Sequence, residues 1–262
     1  MHFTILTIRR DPMTTSNQYG HADLHTHILP GVDDGARELV QAMELVRMAY
    51  ADGTRHLFLT PHYRGKYRRN GPQRLRAGFA ALRQLVLQQM PDMHLYLGNE
   101  IHWEADAPDQ LDAGQVLSLH DSGYCLLEFH SAALRSQVLT GVAEMVRYGY
   151  TPIIAHAERY EVFRRDRTLT EELLVMGALI QLNADSILGG NGWGVKRFCH
   201  SLLKKHQVHF VASDAHDAAD RPPLLSACIK AVAKKYGQAY TRRLFLDNAR
   251  AVIENIMLDE GE

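Results

Sequence analysis

This 262-residue sequence has few cysteines, and that scarcity excludes two classes of protein. The three cysteines, Cys125, Cys199 and Cys228, are odd in number, and none lies in a C-x-x-C pair. A disulfide scaffold needs paired cysteines, and a thiolate metal site needs closely spaced ones. We therefore expect three small buried residues in a protein of a reducing compartment, and we predict a cytoplasmic location.

The sequence also lacks long apolar runs and a strong net charge. No apolar stretch approaches the roughly 20 residues that cross a bilayer, so we expect no membrane insertion. The formal net charge is −1, which supplies no electrostatic drive toward nucleic acid. Residues 1–8 are mildly apolar, but Arg9, Arg10 and Asp11 follow them, and we do not predict a signal peptide. We expect residues 1–20 to be a loose extension and residues 21–262 to form one domain.

Histidine is abundant, with 15 residues, and the most informative stretch contains two of them. His25 and His27 lie in Asp23-Leu24-His25-Thr26-His27, and Asp34 follows seven residues later. Side chains at i and i+2 on a strand project to the same side, so both imidazoles can reach one metal ion. Pro30-Gly31 ends the strand, and the loop that follows supplies a carboxylate. A His-x-His pair alone is weak evidence for a metal half-site.

Six further apolar runs share this design, because each ends in a residue that can bind a metal ion or a phosphate. In chain order they end at His62, Glu100, Glu128, His156 with Glu158 and Arg159, Asn183, and Asp214 with His216. Short continuous apolar runs are typical of strands buried on both faces, as in parallel sheets. The sequence therefore predicts ligand-type residues at the ends of seven strands.

Helical patterns lie between the strands. They cover residues 38–51, 74–90, 132–148, 168–176, 195–205, 224–236 and 241–257. Regular alternation of strand and helix predicts parallel strands with crossover helices. The chemistry of a barrel lies at the C-terminal ends of its strands, whereas in an open doubly wound sheet seven strand ends do not converge. We predict an α/β fold, a distorted (β/α)7 TIM-like barrel in a single domain.

These motifs together resemble the polymerase-and-histidinol-phosphatase (PHP) superfamily, and within it the bacterial protein-tyrosine phosphatases of capsule and exopolysaccharide gene clusters. The resemblance runs from about Asp23 to Pro223. The motifs that carry it are His25-Thr26-His27, Asp34, Thr60-Pro61-His62, Gly98-Asn99-Glu100, Leu127-Glu128-Phe129, Ala155-His156-Ala157-Glu158-Arg159-Tyr160, Gln181-Leu182-Asn183, Ser213-Asp214-Ala215-His216 and Arg221-Pro222-Pro223. The run Val32-Asp33-Asp34-Gly35 marks the subgroup.

The resemblance implies a barrel that holds three divalent metal ions. One ion would be bound by His25, His27, Glu100 and Asp214. A second would be bound by Glu100, Glu128 and His156, and a third by Asp34, His62 and His216. Arg159 and Arg221 would bind the phosphate as catalytic residues. Asp33 is expected to shape the turn without contacting a metal ion.

Five imidazoles and four carboxylates form a donor set of mixed nitrogen and oxygen atoms, which suits transition metals better than calcium. We expect manganese, with iron, zinc, cobalt and magnesium as alternatives. Three divalent ions against four carboxylates leave about two positive charges, which match a phosphate monoester with its second pKa near 6. Metal binding can lower the pKa of water to about 7, so a nucleophile is available at neutral pH.

The resemblance implies dephosphorylation of phosphotyrosine on a protein, with the tyrosine-rich tail of a bacterial kinase of capsule or exopolysaccharide synthesis as the expected partner. Two alternatives remain open: a small-molecule phosphatase such as a histidinol-phosphate phosphatase, and a PHP-type metal-dependent exonuclease. Near-neutral charge counts against the exonuclease. The basic loop Arg64 to Arg69 either guides an acidic phosphopeptide or is merely solvated. The oligomeric state stays open.

Overall fold

The computed structural model of the protein describes residues 20–258. Apart from Gly20, the predicted N-terminal extension lies outside the described residues. The strands in this part of the chain are β1 (His21–Asp23), β2 (Thr54–Leu59), β3 (His62–Tyr63), β4 (His94–Leu97), β5 (Glu100–His102), β6 (Tyr124–Glu128), β7 (Thr151–Ile154), β8 (Leu179–Asn183) and β9 (Phe210–Ala212). Every pairing recorded between these strands is parallel.

Helices connect the strands, and the longer ones fall where the periodicity predicts them. They are α1 (Leu39–Asp52), α2 (Pro72–Gln89), α3 (Ala107–Asp112), α4 (Arg135–Arg147), α5 (Glu161–Arg165), α6 (Thr168–Val175), α7 (Ala184–Leu188), α8 (Trp193–Lys204), α9 (Ser226–Tyr236), α10 (Gln238–Arg242) and α11 (Asn248–Glu254). A π-helical turn, Arg243–Asp247, joins the last two. Within residues 20–258, no helix combines the length and apolar character that spanning a bilayer requires.

The strands form a curled parallel sheet in two parts. Three strands are ordered β1-β2-β4, and six are ordered β3-β5-β6-β7-β8-β9. β2 and β3 form one interrupted strand of the barrel, and so do β4 and β5, so the nine short strands make seven barrel strands, which we call staves. A parallel bridge between Thr26 and Ala215 joins the first stave to the last. The predicted distorted (β/α)7 barrel is therefore confirmed.

Two predicted strands are each interrupted shortly before the ligand residue. The run that ends at His62 breaks because Pro61 has no N–H with which to continue the ladder. The run that ends at Glu100 breaks at Gly98, where an added Cβ would lie 2.8 Å from the side chain of Leu119. Asn99 then holds the break in place, because its side chain donates to the carbonyl oxygen of Pro61. These breaks separate a lower, apolar part of the wall from the upper strand ends.

The barrel interior is apolar below those ends. One buried cluster joins residues near the starts of several strands to helix α11, including Ala22, Tyr124 and Phe210 from the strands and Val252 from the helix. Burying these side chains stabilises the fold by about 25 cal/mol per Å² of apolar surface. The C-terminal helix thus closes the end of the barrel where the strands begin and leaves the opposite end as the polar one.

Candidate metal centre

The nine predicted metal ligands all lie at the C-terminal end of the barrel. Eight of them are buried, and only Asp34, on the loop after β1, is exposed. The buried ligands are His25, His27, His62, Glu100, Glu128, His156, Asp214 and His216. A cluster of buried ionisable groups is costly unless its members are paired or bind ions, so this end of the barrel is a candidate functional site.

Four of these side chains surround one point in space. The Nε2 atoms of His25 and His27 are 3.2 Å apart. Each lies 3.4 Å from a carboxylate oxygen of Glu100, and they lie 3.5 and 3.4 Å from Oδ1 of Asp214. Tetrahedral ligands at the usual 2.0–2.2 Å from a common ion are about 3.4 Å apart. The geometry of these four residues therefore fits a single bound cation.

A second group adjoins the first through Glu100. Nε2 of His156 lies 2.8 Å from Oε1 of Glu100 and 3.9 Å from Oε1 of Glu128. Nδ1 of His62 lies 2.7 Å from the other oxygen of Glu100 and 3.9 Å from Oε2 of Glu128. Glu100 thus faces both groups, as a bridging carboxylate would.

The third group lies at the rim. Oδ1 of Asp34 is 3.3 Å from Nε2 of His62 and 3.7 Å from Nε2 of His216. Donor atoms of His27, Asp34, His62 and His216 lie within 4.8 Å of one another, as do those of His62, Glu100 and Glu128. His62 therefore faces two of the predicted ion positions, and His27 also lies beside the third.

Several polar atoms in the cluster are buried and make no well-aligned hydrogen bond to the described residues, although two of them, in His62 and Glu100, lie 2.7 Å apart. They are Nδ1 of His62, Oε2 of Glu100, Nδ1 of His156 and Nε2 of His216. Buried polar atoms usually have a partner, and a lone pair that lacks one is satisfied by a bound cation. With a donor set of imidazole nitrogens and carboxylate oxygens, these residues fit divalent transition-metal ions.

The charges of the cluster keep its central carboxyls ionised. Burial by itself raises the pKa of Glu100, but interaction with His25 and His62 lowers that pKa well below its ordinary value. Burial likewise opposes ionisation of Asp214, yet His25, His27 and Arg159 hold its pKa well below the ordinary range. The centre therefore presents carboxylates at neutral pH and attracts positive charge, as protons or as metal ions.

Both predicted phosphate arginines reach the centre. Nη1 of Arg159 lies 2.7 Å from Oδ2 of Asp214, and Nη1 of Arg221 lies 3.9 Å from the same oxygen. Their side chains are 35 and 40% exposed. They occupy the loops after β7 and β9, so two guanidinium groups border the mouth of the centre on one side.

Outer residues that the sequence analysis did not assign fix the ligands in place. Asp33 does more than shape its turn, because Nδ1 of His27 donates to its carboxylate at 2.7 Å. The same carboxylate accepts from the backbone N–H groups of His62 and Gly35. Burial opposes the ionisation of Asp33, but His27 lowers its pKa to about 2. A hydrogen bond of this kind, made by the ring nitrogen that does not face the metal ion, orients a metal-binding imidazole.

Gln181, on β8, plays a similar part for two histidines. Its side-chain oxygen lies 3.2 Å from Nδ1 of His25 and accepts from the backbone N–H of His156 at 2.8 Å. Its amide nitrogen donates to Asn183, whose own amide donates to Asp214. Its position two residues before Asn183, on the same face of β8, is the sequence signal that could have identified it.

The backbone is strained at two of the ligands. His156 has φ 34° and Asp214 has φ 56°, in the left-handed region that non-glycine residues seldom adopt. Such conformations cost about 1–3 kcal/mol and cluster at functional sites. Gly35 meets a different demand, since an added Cβ would lie 1.8 Å from the carbonyl oxygen of His27. The loop that carries Asp34 can approach His27 only because residue 35 is glycine.

The cysteines take no part in this centre. All three are buried, as predicted, and none is in a disulfide. Burial raises the pKa of Cys125 and of Cys228 to about 12, and it also raises the pKa of Cys199. A thiol with so high a pKa is not a nucleophile at neutral pH.

Comparison with known proteins agrees with this geometry. Residues 21–254 match the sequence profile of the family described as capsular polysaccharide synthesis, CpsB/CapC. The chain is 31% identical over 236 residues to the tyrosine-protein phosphatase CpsB of Streptococcus pneumoniae, covering 88% of this chain and 97% of that one. It is also 31% identical to the tyrosine-protein phosphatase YwqE of Bacillus subtilis, covering 89 and 91%.

The solved structures agree with the sequence comparison. A structure from work on YwqE and CpsB, described as unique metal-dependent tyrosine phosphatases, superimposes with a TM-score of 0.85 at 30% identity, covering 91% of this chain and 96% of that one. A histidinol phosphate phosphatase from Lactococcus lactis shares the fold alone, with a TM-score of 0.58 at 16% identity, covering 83 and 94%. The chain belongs to the CpsB/CapC family of capsular polysaccharide synthesis.

Proposed function

We propose that this protein is a metal-dependent phosphatase that removes phosphate from phosphotyrosine on a protein substrate. The observation that carries the proposal is the convergence of eight buried ligand-type side chains and two arginines at one end of the barrel. The relatives that cover most of this chain are named tyrosine-protein phosphatases, which supports the same reaction here. Residues 21–262 form the catalytic domain in this proposal.

In this proposal the centre would hold three divalent ions, for which manganese is our choice. The first would be held by His25, His27, Glu100 and Asp214, whose mutual distances support it best. The second would be held by Glu100, Glu128 and His156, and the third by Asp34, His62 and His216. This division gives each histidine one ion, which suits neutral imidazole because each ring nitrogen has one lone pair to offer.

When bound, the ions supply positive charge and a water acidic enough to act as a nucleophile near neutral pH. Four carboxylates, those of Asp34, Glu100, Glu128 and Asp214, cancel four of the six positive charges. About two positive charges remain, and they match the dianion of a phosphate monoester. A diester, with one negative charge, fits this balance less well.

The two arginines of the mouth hold the phosphate. Each guanidinium of Arg159 and Arg221 can donate to two phosphate oxygens in a planar fork and oppose the charge that develops during transfer. Both side chains are partly exposed, so they are accessible to a phosphate on the surface of another protein. Burial raises the pKa of the cysteine thiols, so none of them is a candidate nucleophile, and in this proposal the phosphoryl group passes directly to water.

The substrate in this proposal is the tyrosine-rich tail of a bacterial tyrosine kinase that controls capsule or exopolysaccharide synthesis, in the cytoplasm. Membership of a capsular polysaccharide synthesis family supports that assignment. The histidinol phosphate phosphatase of L. lactis shares only the fold with this chain, so its substrate gains no support from the comparison.

One preparation and three substrates test the proposal. Manganese-loaded protein is offered a phosphotyrosine peptide, histidinol phosphate and a nucleotide diester, and the release of product is measured. We expect turnover of the peptide to be fastest and turnover of the diester to be slowest. Removal of the ions with EDTA should abolish the activity, and added manganese should restore it. Full activity in protein that elemental analysis finds free of metal would contradict the proposal.

A further inference from the structure

The basic loop after β3 sends one arginine into the centre. Nη1 of Arg64 lies 3.1 Å from each carboxylate oxygen of Glu128, so one nitrogen donates to both oxygens. Nη2 lies 3.0 Å from Nε2 of His62 and 3.7 Å from Oδ2 of Asp34. A single guanidinium therefore contacts three proposed ligands that belong to two different ions.

Two other basic residues of the loop, Arg68 and Lys66, make their contacts outside the centre. Arg68 donates to Glu104 and Asp106 at 2.8–2.9 Å, outside the centre. Lys66 lies over the ring of Tyr67, with its nitrogen 5.0 Å from the ring centroid. The two alternatives that the sequence left open for this loop, guidance of an acidic phosphopeptide or simple solvation, stay predictions, and the contacts of Arg64 add a third.

The contacts of Arg64 are ones that a bound ion would also make. A guanidinium has only donors and keeps its charge at any ordinary pH, so it cannot itself ligate a metal ion. It instead uses the same lone pairs of Glu128, His62 and Asp34 that the ions need. Arg64 and two of the ions therefore compete for the same acceptors.

The loop leaves Arg64 room to exchange. Its side chain is 35% exposed, as is that of Arg159. Gly65, the next residue, has φ +44°, and no heavy atom lies within 4 Å of a Cβ added there. The backbone beside Arg64 therefore has space in which to turn, and its long side chain starts at the mouth of the centre.

Arg159 shows the same behaviour on the other side of the mouth. It lies 2.7 Å from Asp214, a proposed ligand, although its proposed partner is the phosphate of the substrate. Arg64 stands in the same relation to Glu128. By the same argument, the substrate phosphate is the acceptor available to Arg64 when Glu128, His62 and Asp34 bind ions.

We propose that Arg64 is an exchanging cation: it neutralises Glu128 and Asp34 in the ion-free centre and turns to the substrate phosphate when ions take those ligands. This inference rests on the proposed function, because it assumes that the cluster holds metal ions. It makes Arg64 a third phosphate-binding arginine, opposite Arg159 and Arg221. It also makes ion uptake and phosphate recognition two consequences of one side-chain movement.

The first test measures ion binding. Manganese affinity is determined for the wild type, Arg64→Ala and Arg64→Lys by competition with a chelating dye. Arg64→Ala removes a competitor from the empty centre and a like charge from the filled one, so both effects favour binding. We expect about tenfold tighter manganese binding, the scale of one charge-assisted hydrogen-bonded pair. Arg68→Ala, on the same loop but paired outside the centre, is the matched control and should leave the affinity unchanged.

The second test measures anion binding without turnover. Inorganic phosphate is titrated by calorimetry into manganese-saturated protein. We expect Arg64→Ala to weaken phosphate binding roughly tenfold and Arg64→Lys to weaken it less, because lysine keeps the charge and loses the fork. Arg68→Ala should again match the wild type.

The two arms separate the outcomes. If Arg64→Ala leaves manganese binding unchanged or weakens it, the proposed exchange is wrong. The exchange is also wrong if Arg64→Ala leaves phosphate binding unchanged. If the wild type still binds manganese and hydrolyses phosphotyrosine, either of these results contradicts only the role of Arg64 and leaves the proposed function intact. A wild type that binds no divalent ion would overturn the proposed function, and the exchange with it.

Discussion

Histidines gather at both ends of the barrel, and comparing the two clusters explains why only one is a candidate metal centre. At the C-terminal end, the five histidines proposed as ligands lie among three buried carboxylates, the exposed Asp34 and three partly exposed arginines. At the N-terminal end, His56 and His94 stack with ring centroids 5.3 Å apart, and His56 lies 2.9 Å from the hydroxyl of Tyr96. His120 meets the ring of Tyr96 edge-on.

The surroundings of the two clusters have opposite effects on a histidine. Burial and the neighbouring His94 lower the pKa of His56 to about 4. Burial also opposes protonation of His27, but Asp33, Asp214 and Glu100 together outweigh it and raise the pKa of His27 well above the ordinary value. The carboxylate that borders the N-terminal cluster, Asp121, is already paired with Arg76. Carboxylates, rather than the number of histidines, make a cluster attractive to cations.

A cavity of about 370 Å³ beside the N-terminal cluster sharpens the contrast. It is lined by His94, His120 and Tyr96, together with side chains of α2. Space and imidazoles are therefore present at both ends, whereas the buried carboxylates of residues 20–258 lie toward the C-terminal end. Substitutions at each end can test whether that difference decides metal binding.

The largest expected effect comes from removing the carboxylate that the C-terminal cluster shares. Glu100→Gln should lower kcat/KM by at least about 10³-fold, more than the 10–100-fold that losing an outer partner costs. It should also lower the metal content measured by elemental analysis. Glu104→Gln, an exposed change close in sequence, is the control. A full complement of metal in Glu100→Gln would show that the carboxylates do not decide ion binding.

The second largest effect is expected from removing the arginines that we propose bind the phosphate. Arg159→Ala and Arg221→Ala should each lower kcat/KM for an aryl phosphate by about 10²–10³, the scale for losing one preorganised charge stabiliser. Metal content should stay normal, because a guanidinium cannot ligate a cation. Arg147→Ala, in an exposed pair with Glu144, serves as the control. Loss of metal from Arg159→Ala would argue that this residue supports the ligands rather than the phosphate.

A smaller effect is expected from the partner of His27. Asp33→Asn keeps the size of the side chain but removes the charge that orients the imidazole. We expect metal affinity to fall about 10–100-fold, as is common for such partners. Asp92→Asn, an exposed carboxylate that precedes β4 and pairs with Arg55, is the control. Equal metal affinity in the two variants would remove Asp33 from the centre.

The smallest effect is expected at the opposite end. The double variant His56→Ala, His94→Ala should keep its metal content and change kcat by less than about twofold, at a cost in stability of about 1 kcal/mol. Elemental analysis and steady-state kinetics check both expectations. A drop in bound metal there would show that histidines without carboxylates also hold ions in this protein, and the comparison would fail.

The sequence predicted the parts of this architecture that depend on local pattern. Apolar runs placed the strands, and helical periodicity placed α1 within one residue of its start and end. Ligand-type residues at the strand ends identified where the centre lies. Each of these signals lies within a few residues of the feature that it predicts, so one sequence suffices to detect it.

The features that the sequence missed depend on contacts between distant residues. The spacing of Gln181 and Asn183 places Gln181 on the face of β8 toward the centre, but nothing local shows that its partner is His25, which lies 156 residues away. The breaks before His62 and Glu100 arise where one strand end meets the next, and the short helices α3, α5 and α7 lie in the connections. Arg64 belongs to a run of basic residues in which no pattern distinguishes the one that turns inward.

The bridge between Thr26 and Ala215 has a consequence for the order in which the protein forms. Asp23 accepts a hydrogen bond from the backbone N–H of Ser213, which lies 190 residues further along the chain. His25 and His27 of the first stave and Asp214 of the last stave lie on the two sides of this seam. Closing so long a loop carries a large entropic cost, and contacts of such high sequence separation are slow to form. During synthesis the first ion position cannot exist before β9 leaves the ribosome. A cation held by both His25 and Asp214 would therefore require that the chain has been synthesised beyond β9 and that the seam has closed.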